Sequence, residues 1–158
     1  TMINEGRLAF LRTAESRFNL ANFMRVHLYT SLGAVKIGLD ILTEEEQVKV
    51  DRIMGHGGFF KTKGVGQRYL AAAAGAPVTV MDTASEGGAW GIALLAAYLA
   101  DKMVGERLED YLETRIFGEL SGETVIPNER DTAGFHTFME RYKSGLSVER
   151  AAIEAMDW

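Results

Sequence analysis

The residues of this chain best suited to chemistry are grouped around one loop. From Val50 to Gly58 the chain reads VDRIMGHGG, and it continues FFKTKGVGQRYLAAAAGAPVTVM. An apolar run ends in glycines, a helix-like segment follows, and a second β-branched run begins after Gly75-Ala76-Pro77. Strand, turn, helix, strand is the order of a unit whose ligands lie at the carboxyl ends of the strands, where backbone N–H groups face a phosphate. Gly57 and Gly58 fall at the handover, where a Cβ would hold the backbone away from such a ligand. Lys61 and Thr62 follow them, as the cation and hydroxyl of a phosphate loop would. The phosphate-loop pattern, however, requires glycine directly before the lysine, where this chain has Phe60. A dinucleotide fingerprint starting at Gly55-x-Gly57 requires glycine at the same position. These residues by themselves leave two readings open, a nucleotide-binding loop and a structural glycine turn.

Other candidate groups have simpler roles. His27, His56 and His136 share no ligand spacing, so no metal site is read from them. His56 lies in the glycine loop, where it either touches a phosphate or bonds to backbone. Asp82 follows the second strand; it would suit a hydrated magnesium, but helix capping or loop hydrogen bonding is the plainer use. Glu44-Glu45-Glu46 reads as a solvated helix start that complements the macrodipole. Phe135, Phe138, Met139 and Tyr142 have helical spacing and read as core. No Ser/His/Asp arrangement emerges, and no catalytic residue is assigned.

The elements that position the loop can be read from period and punctuation. Residues 7–12, RLAFLR, form a short strand or an ordered arm. Asn19 caps a long helix with the stripe Leu20, Met24, Leu28, Leu32, Val35, Leu39 and Leu42, which predicts one buried face. Thr43 and Glu46 have capping-box spacing and predict a second short helical turn. Val50–Met54 reads as a buried strand, 64–74 as a helix with Val65, Tyr69 and Ala72 on one side, and Val78–Met81 as a second strand parallel to the first. Gly75 suits a left-handed helix end, and Pro77 prevents continuation. Ser85 caps the next helix, EGGAWGIALLAAYLADKMV, whose small residues favour close packing under the ligand loop. Leu108 to Ile116 suggests a helix, and 118–130 a polar loop. Asp131 caps a helix that Gly145 stops, and Ser147 caps a final short one. Two strands make a poor independent sheet, so the segment reads as a piece of a larger α/β domain.

Bulk properties narrow the classes. A chain of 158 residues has the size of one domain, and its net charge of -5, without a basic block, argues against nucleic-acid binding. The absence of cysteine excludes disulfides, thiolate metal sites and a cysteine nucleophile. The longest strongly apolar run, 89–100, is shorter than the roughly 20 residues of a membrane span, and no signal peptide is visible. A cytoplasmic location is expected.

Taken in order, these segments resemble the C-terminal part of the FGGY carbohydrate kinases, particularly xylulokinase- and ribulokinase-like members. NLANFMRVHLYTSLGAVKIGLDIL resembles the helix before the family's glycine loop. DRIMGHGGFFKTKGVGQRYLAAAAGAPV resembles the loop, helix and Pro-Val strand, and SEGGAWGIALLAAYL the small-residue helix. FMERYKSGLSVERAAI is similar to the Tyr-containing C-terminal helix of sugar kinases. The resemblance covers roughly residues 15 to 155. It implies an α/β fold of partial ribonuclease H-like (actin-like ATPase) type, with parallel strands and crossover helices. It further implies that residues 1–158 are the C-terminal portion of the second, ATP-binding domain, with the sugar-binding N-terminal domain absent. The family's glycine loop maps onto Gly57 and Gly58, with nucleotide contacts expected at Lys61 and Thr62. Phe59 and Phe60 depart from the family's small residues at this point. The family's catalytic aspartate lies in its first domain, and nothing here matches it.

The implied function is the nucleotide-binding portion of an ATP-dependent kinase acting on a ketopentose or related polyol, with ATP and Mg²⁺ as cofactors. These residues alone would be inactive. The alternative is a non-catalytic nucleotide-binding or assembly module, and a dinucleotide oxidoreductase is disfavoured by its failed fingerprint. A sheet cut from a larger domain also predicts a homo-oligomer that covers the exposed edge and apolar face.

Overall fold

Asn19 starts α1, Leu20–Asp40, by accepting a hydrogen bond on its side-chain oxygen from the Asn22 N–H at 2.9 Å. The computed structural model describes residues 6, 9–82, 87–117 and 122–156. It divides the chain into two compact units, Thr1–Val48 with Glu129–Trp158, and Lys49–Asn128.

In the first unit the buried face of α1 differs from the expected stripe. Of its seven members only Leu32 is buried, while Leu20, Met24, Val35 and Leu42 are exposed. The face that packs is Tyr29, Leu32 and Gly33, and its partner is α5, Glu129–Ala155. Tyr29 meets Phe135 and Phe138 edge-on at ring-centroid distances of 4.8 and 5.2 Å. A Cβ on Gly33 would lie 3.0 Å from the Tyr142 ring, which would have to shift by a few tenths of an ångström to admit it. Aromatic rings bury more area per residue than the aliphatic stripe offers, and they set the helix rotation.

Helix ends also differ from their signals. The chain leaves α1 through a π turn, Ile41–Glu45, and the Thr43 hydroxyl donates back to the Leu39 carbonyl at 2.8 Å. Thr43 therefore closes the outgoing helix and caps no new one. Glu44, Glu45 and Glu46 are solvated as expected but stand at a helix end, where the macrodipole does not favour them. The last helix begins at Glu129, two residues before Asp131, and runs unbroken through Gly145. Ser147 caps nothing; its hydroxyl donates to the Ser144 carbonyl at 2.9 Å. Residues 9–12 form an irregular arm, with Arg7 and Leu8 outside the described residues. Phe10 anchors the arm among Phe18 and Phe23, at centroid distances of 5.7 and 5.4 Å.

The second unit is built on a sheet in the order β1-β2-β3. Strand β1 is Ile53–Gly55, a shorter and later segment than expected, and β2 is Val78–Met81. They pair in parallel, Ile53 opposite Val78, with α2, Val65–Ala74, between them in sequence. A third strand, β3 at Gly122–Val125, lies within the stretch expected to be polar loop, and it pairs antiparallel to β2. Its pairing rests on interactions that composition hides. Thr124 meets the buried Thr79 hydroxyl to hydroxyl at 2.7 Å, and a Cβ on Gly122 would collide with the Met81 sulfur at 2.8 Å.

Helix α2 buries Gly66, Gln67, Leu70, Ala71, Ala72 and Ala73, so its packed face includes Ala72 but not the exposed Val65. The alanines carry no bulk to hold the helix away from β2, whose Val78 is wholly buried. Gly75 ends α2 in the left-handed region, φ 66°, its N–H donating to the Ala71 carbonyl at 2.9 Å.

Helix α3 spans Gly87–Asp101, and Ser85, its expected cap, lies outside the described residues. Its Ile92, Leu95 and Leu99 are exposed. Helix α4, Leu108–Leu112, continues into a π turn ending at Phe117. Arg115 from that turn donates to both Glu106 carboxylate oxygens, at 3.1 and 3.2 Å, and stacks over the buried Tyr111.

Candidate functional site

The candidate loop leaves the carboxyl end of β1 at Gly55 and reaches α2 at Val65. Gly57 has φ 95°, a conformation that L side chains rarely adopt, so glycine is required there for backbone reasons alone. A 3₁₀ turn, Gly58–Phe60, follows, with the Phe60 N–H donating to the Gly57 carbonyl at 3.1 Å and the Lys61 N–H to the Gly58 carbonyl at 3.2 Å. A Cβ built on Gly57 or Gly58 would meet no atom of the described residues within 4 Å. The described residues therefore leave the backbone at both positions open to approach, one condition that a phosphate cradle must meet.

Phe59 and Phe60, the departures from the small-residue pattern, hold the loop in place. The Phe60 ring lies over Gly55, where a Cβ would come within 2.7 Å of it. A Cβ on Gly66 would lie 2.5 Å from the Phe59 carbonyl oxygen and 2.9 Å from its ring. The two rings touch edge to face at 5.4 Å. Gly55 and Gly66 thus serve close packing, and the pairing of bulky residue with distant glycine is the trace they leave in sequence.

Of the four predicted site residues, Gly57 and Gly58 form the open part of the loop. Lys61 and Thr62 are exposed on the stretch after the 3₁₀ turn, and the Thr62 carbonyl accepts the Val65 N–H at 3.2 Å. His56 is exposed, and its Cβ would be 2.7 Å from a Cβ on Gly87 at the described start of α3. The expected close approach of the small-residue helix to the loop is present at that point.

Sequence reading weighed Asp82 but overlooked Lys63, Gln67 and Glu123. Lys63 pairs with Glu123 of β3 at 2.9 Å. The hydrogen bond it donates to Glu123, then the charge of that carboxylate and more weakly that of Asp82, hold the Lys63 ammonium above its ordinary pKa. Asp82 directly follows β2, and because β1 and β2 are parallel it lies at the same end of the pair as the glycine loop that leaves β1. Gln67, in the first turns of α2, is buried, with 3% of its surface exposed. Its side-chain oxygen accepts from the Gly64 N–H at 3.3 Å, and its amide donates to the Glu123 carbonyl at 2.7 Å. A polar residue in helical register with Leu70 and Ala71, on the apolar face of α2, was the available signal for it.

Among the described residues no cluster of three or more His, Cys, Asp or Glu side chains could hold a metal ion, and no helix is long and apolar enough to cross a membrane. The loop does fit a nucleotide in one respect: open glycine backbone with exposed Lys61 beside it. A magnesium ion arriving with ATP would take its ligands from phosphate oxygens and water, which requires no preformed protein cage.

The model of one protein family, the C-terminal domain of the FGGY family of carbohydrate kinases, matches residues 1–100, a span that contains α1, the glycine loop, α2, β2 and most of α3. No curated protein and no solved structure matches significantly.

Proposed function

Because the chain belongs to the FGGY family of carbohydrate kinases, we propose that it supplies the nucleotide-binding portion of an ATP-dependent sugar kinase. The family's actin-like ATPase fold accommodates what is observed here, a mixed α/β unit with parallel β1 and β2 joined through α2. The observation that carries the nucleotide assignment is the open backbone at Gly57 and Gly58, at the carboxyl end of β1.

On this reading the loop backbone cradles the phosphates, and the exposed ammonium of Lys61 and hydroxyl of Thr62 contact them or the adenosine. ATP bound as its magnesium complex supplies the γ-phosphoryl group, transferred to a hydroxyl of a ketopentose of the xylulose or ribulose type, or of a related polyol. Transfer requires both substrates positioned in line and the developing charge neutralised. Residues 1–158 form the C-terminal portion of the second, ATP-binding domain, and the sugar site and its proton-accepting aspartate lie outside them. The reaction belongs to the cytoplasm, where ATP and free sugars meet. The exposed Ile92, Leu95 and Leu99 on α3 favour association with another apolar surface, as in a homo-oligomer. They equally support the second reading, a non-catalytic nucleotide-binding or assembly module.

The test is a titration of the chain with ATP and Mg²⁺, following the Gly57 and Gly58 amide resonances. Replacing Gly57 by valine forces a β-branched residue to φ 95° and fills the open face. Gly57→Val is expected to weaken ATP binding by at least about tenfold, equivalent to about 1.4 kcal/mol. A coupled assay with a panel of pentuloses is expected to show no turnover by the 158-residue chain above a heat-killed control. Unperturbed glycine amides at saturating ATP would remove the nucleotide assignment. Sugar-dependent turnover would show that a carboxylate within the chain, Asp82 first, acts as the base.

A further inference from the structure

We propose that Gln67 is a positioning residue that pins the exit of the glycine loop to β3, and so holds the loop in the shape that admits a nucleotide. The proposal rests on the nucleotide reading of the loop. The loop's entry is fixed by β1 and by Phe60 lying over Gly55. Its exit has no strand of its own. There Gln67 spans the gap, accepting from Gly64 at 3.3 Å and donating to the Glu123 carbonyl at 2.7 Å.

Three features separate this amide from an ordinary core residue. It is the polar residue among the buried positions of α2, where an apolar side chain would pack without demanding partners. Its bonds join segments 56 residues apart in sequence on one side and the loop itself on the other. Glu123 is used twice, its carbonyl by Gln67 and its carboxylate by Lys63 at 2.9 Å, so adjacent residues Lys63 and Gly64 are both referred to the same point on β3. A buried, satisfied amide in this position fixes geometry more than it adds stability, because the two bonds largely replace bonds to water in the unfolded chain.

Hydrogen exchange of the full chain, read residue by residue without nucleotide, tests the pin directly. In the unaltered protein the Gly64 amide should exchange as slowly as amides inside α2; exchange as fast as that of exposed loop residues overturns the proposal without any variant. Gln67→Met keeps the side-chain length and removes both bonds. It is expected to speed exchange of the 58–64 amides by at least about tenfold while leaving β1 and β2 amides unchanged. Equal acceleration throughout Lys49–Asn128, or none, shows a merely structural role. An ATP titration forms the separate arm. If the unaltered chain binds ATP, Gln67→Met should raise its Kd by about tenfold, and an unchanged Kd overturns the positioning role. If the unaltered chain does not bind ATP, the proposed function fails while the exchange data still decide whether Gln67 pins the loop.

Discussion

Gly75 and Gly145 each follow a helical stretch, and the chain treats them in opposite ways. At Gly75 the backbone turns left-handed, φ 66°, and Pro77 two residues later has no N–H to extend the helix. At Gly145 the helix continues for another ten residues to Ala155. The residues after it, LSVERAAI, supply every N–H the ladder needs, and Phe135 and Met139 earlier in α5 are held in the core. A glycine therefore permits a helix to end without compelling it; the proline and the packing on either side decide.

The largest expected effect tests the packing half of that statement. Phe135 is 1% exposed and touches both Tyr29 and Phe138, so Phe135→Ala should destabilise the first unit by about 3–5 kcal/mol, read from urea denaturation. A loss under about 1 kcal/mol would mean that aromatic packing does not set the α1–α5 arrangement. Next come two identical substitutions of opposite sign. Gly75→Ala places a Cβ in the left-handed region and should cost about 1 kcal/mol. Gly145→Ala removes an entropic penalty inside a helix, at a site where the new methyl would find its nearest neighbour, Leu11, at 3.6 Å, and should gain about 0.5–1 kcal/mol. Thermal melts with shifts of the same sign would erase the contrast.

The smallest effect concerns charge on the surface of the second unit. Arg107 donates to Glu109 and holds its carboxyl below the ordinary value of 4.5. Because the folded value is the lower one, the pair's contribution is present above about pH 4.5 and is lost as pH falls through the folded pKa. An NMR titration of the Glu109 carboxyl should therefore find its midpoint below that of the same residue in Arg107→Ala. The fully solvated setting keeps the consequence for stability slight.

Local punctuation was legible in the sequence, and it located Asn19, Gly75, Pro77 and β2 correctly. The parallel pairing of β1 and β2 followed from the strand–helix–strand order. What escaped depends on partners remote in sequence. The rotation of α1 answers to rings on α5, and the aliphatic stripe, though periodic, points elsewhere. Strand β3 looked like polar loop because Gly122 and Thr124 make sense only opposite Met81 and Thr79. In the site, the open Gly57 and Gly58 were visible as glycines, whereas Lys63, Gln67 and Glu123 acquire meaning only when β3 lies beside β2.

The double use of Glu123 gives the loop two tethers that respond differently to salt and to inheritance. The Lys63 carboxylate pair is exposed, and ionic strength screens it. The bond from the buried Gln67 amide ends on a backbone carbonyl, which every amino acid at position 123 would still supply. Changes of solvent or of codon at this point can slacken the first tether while the second holds.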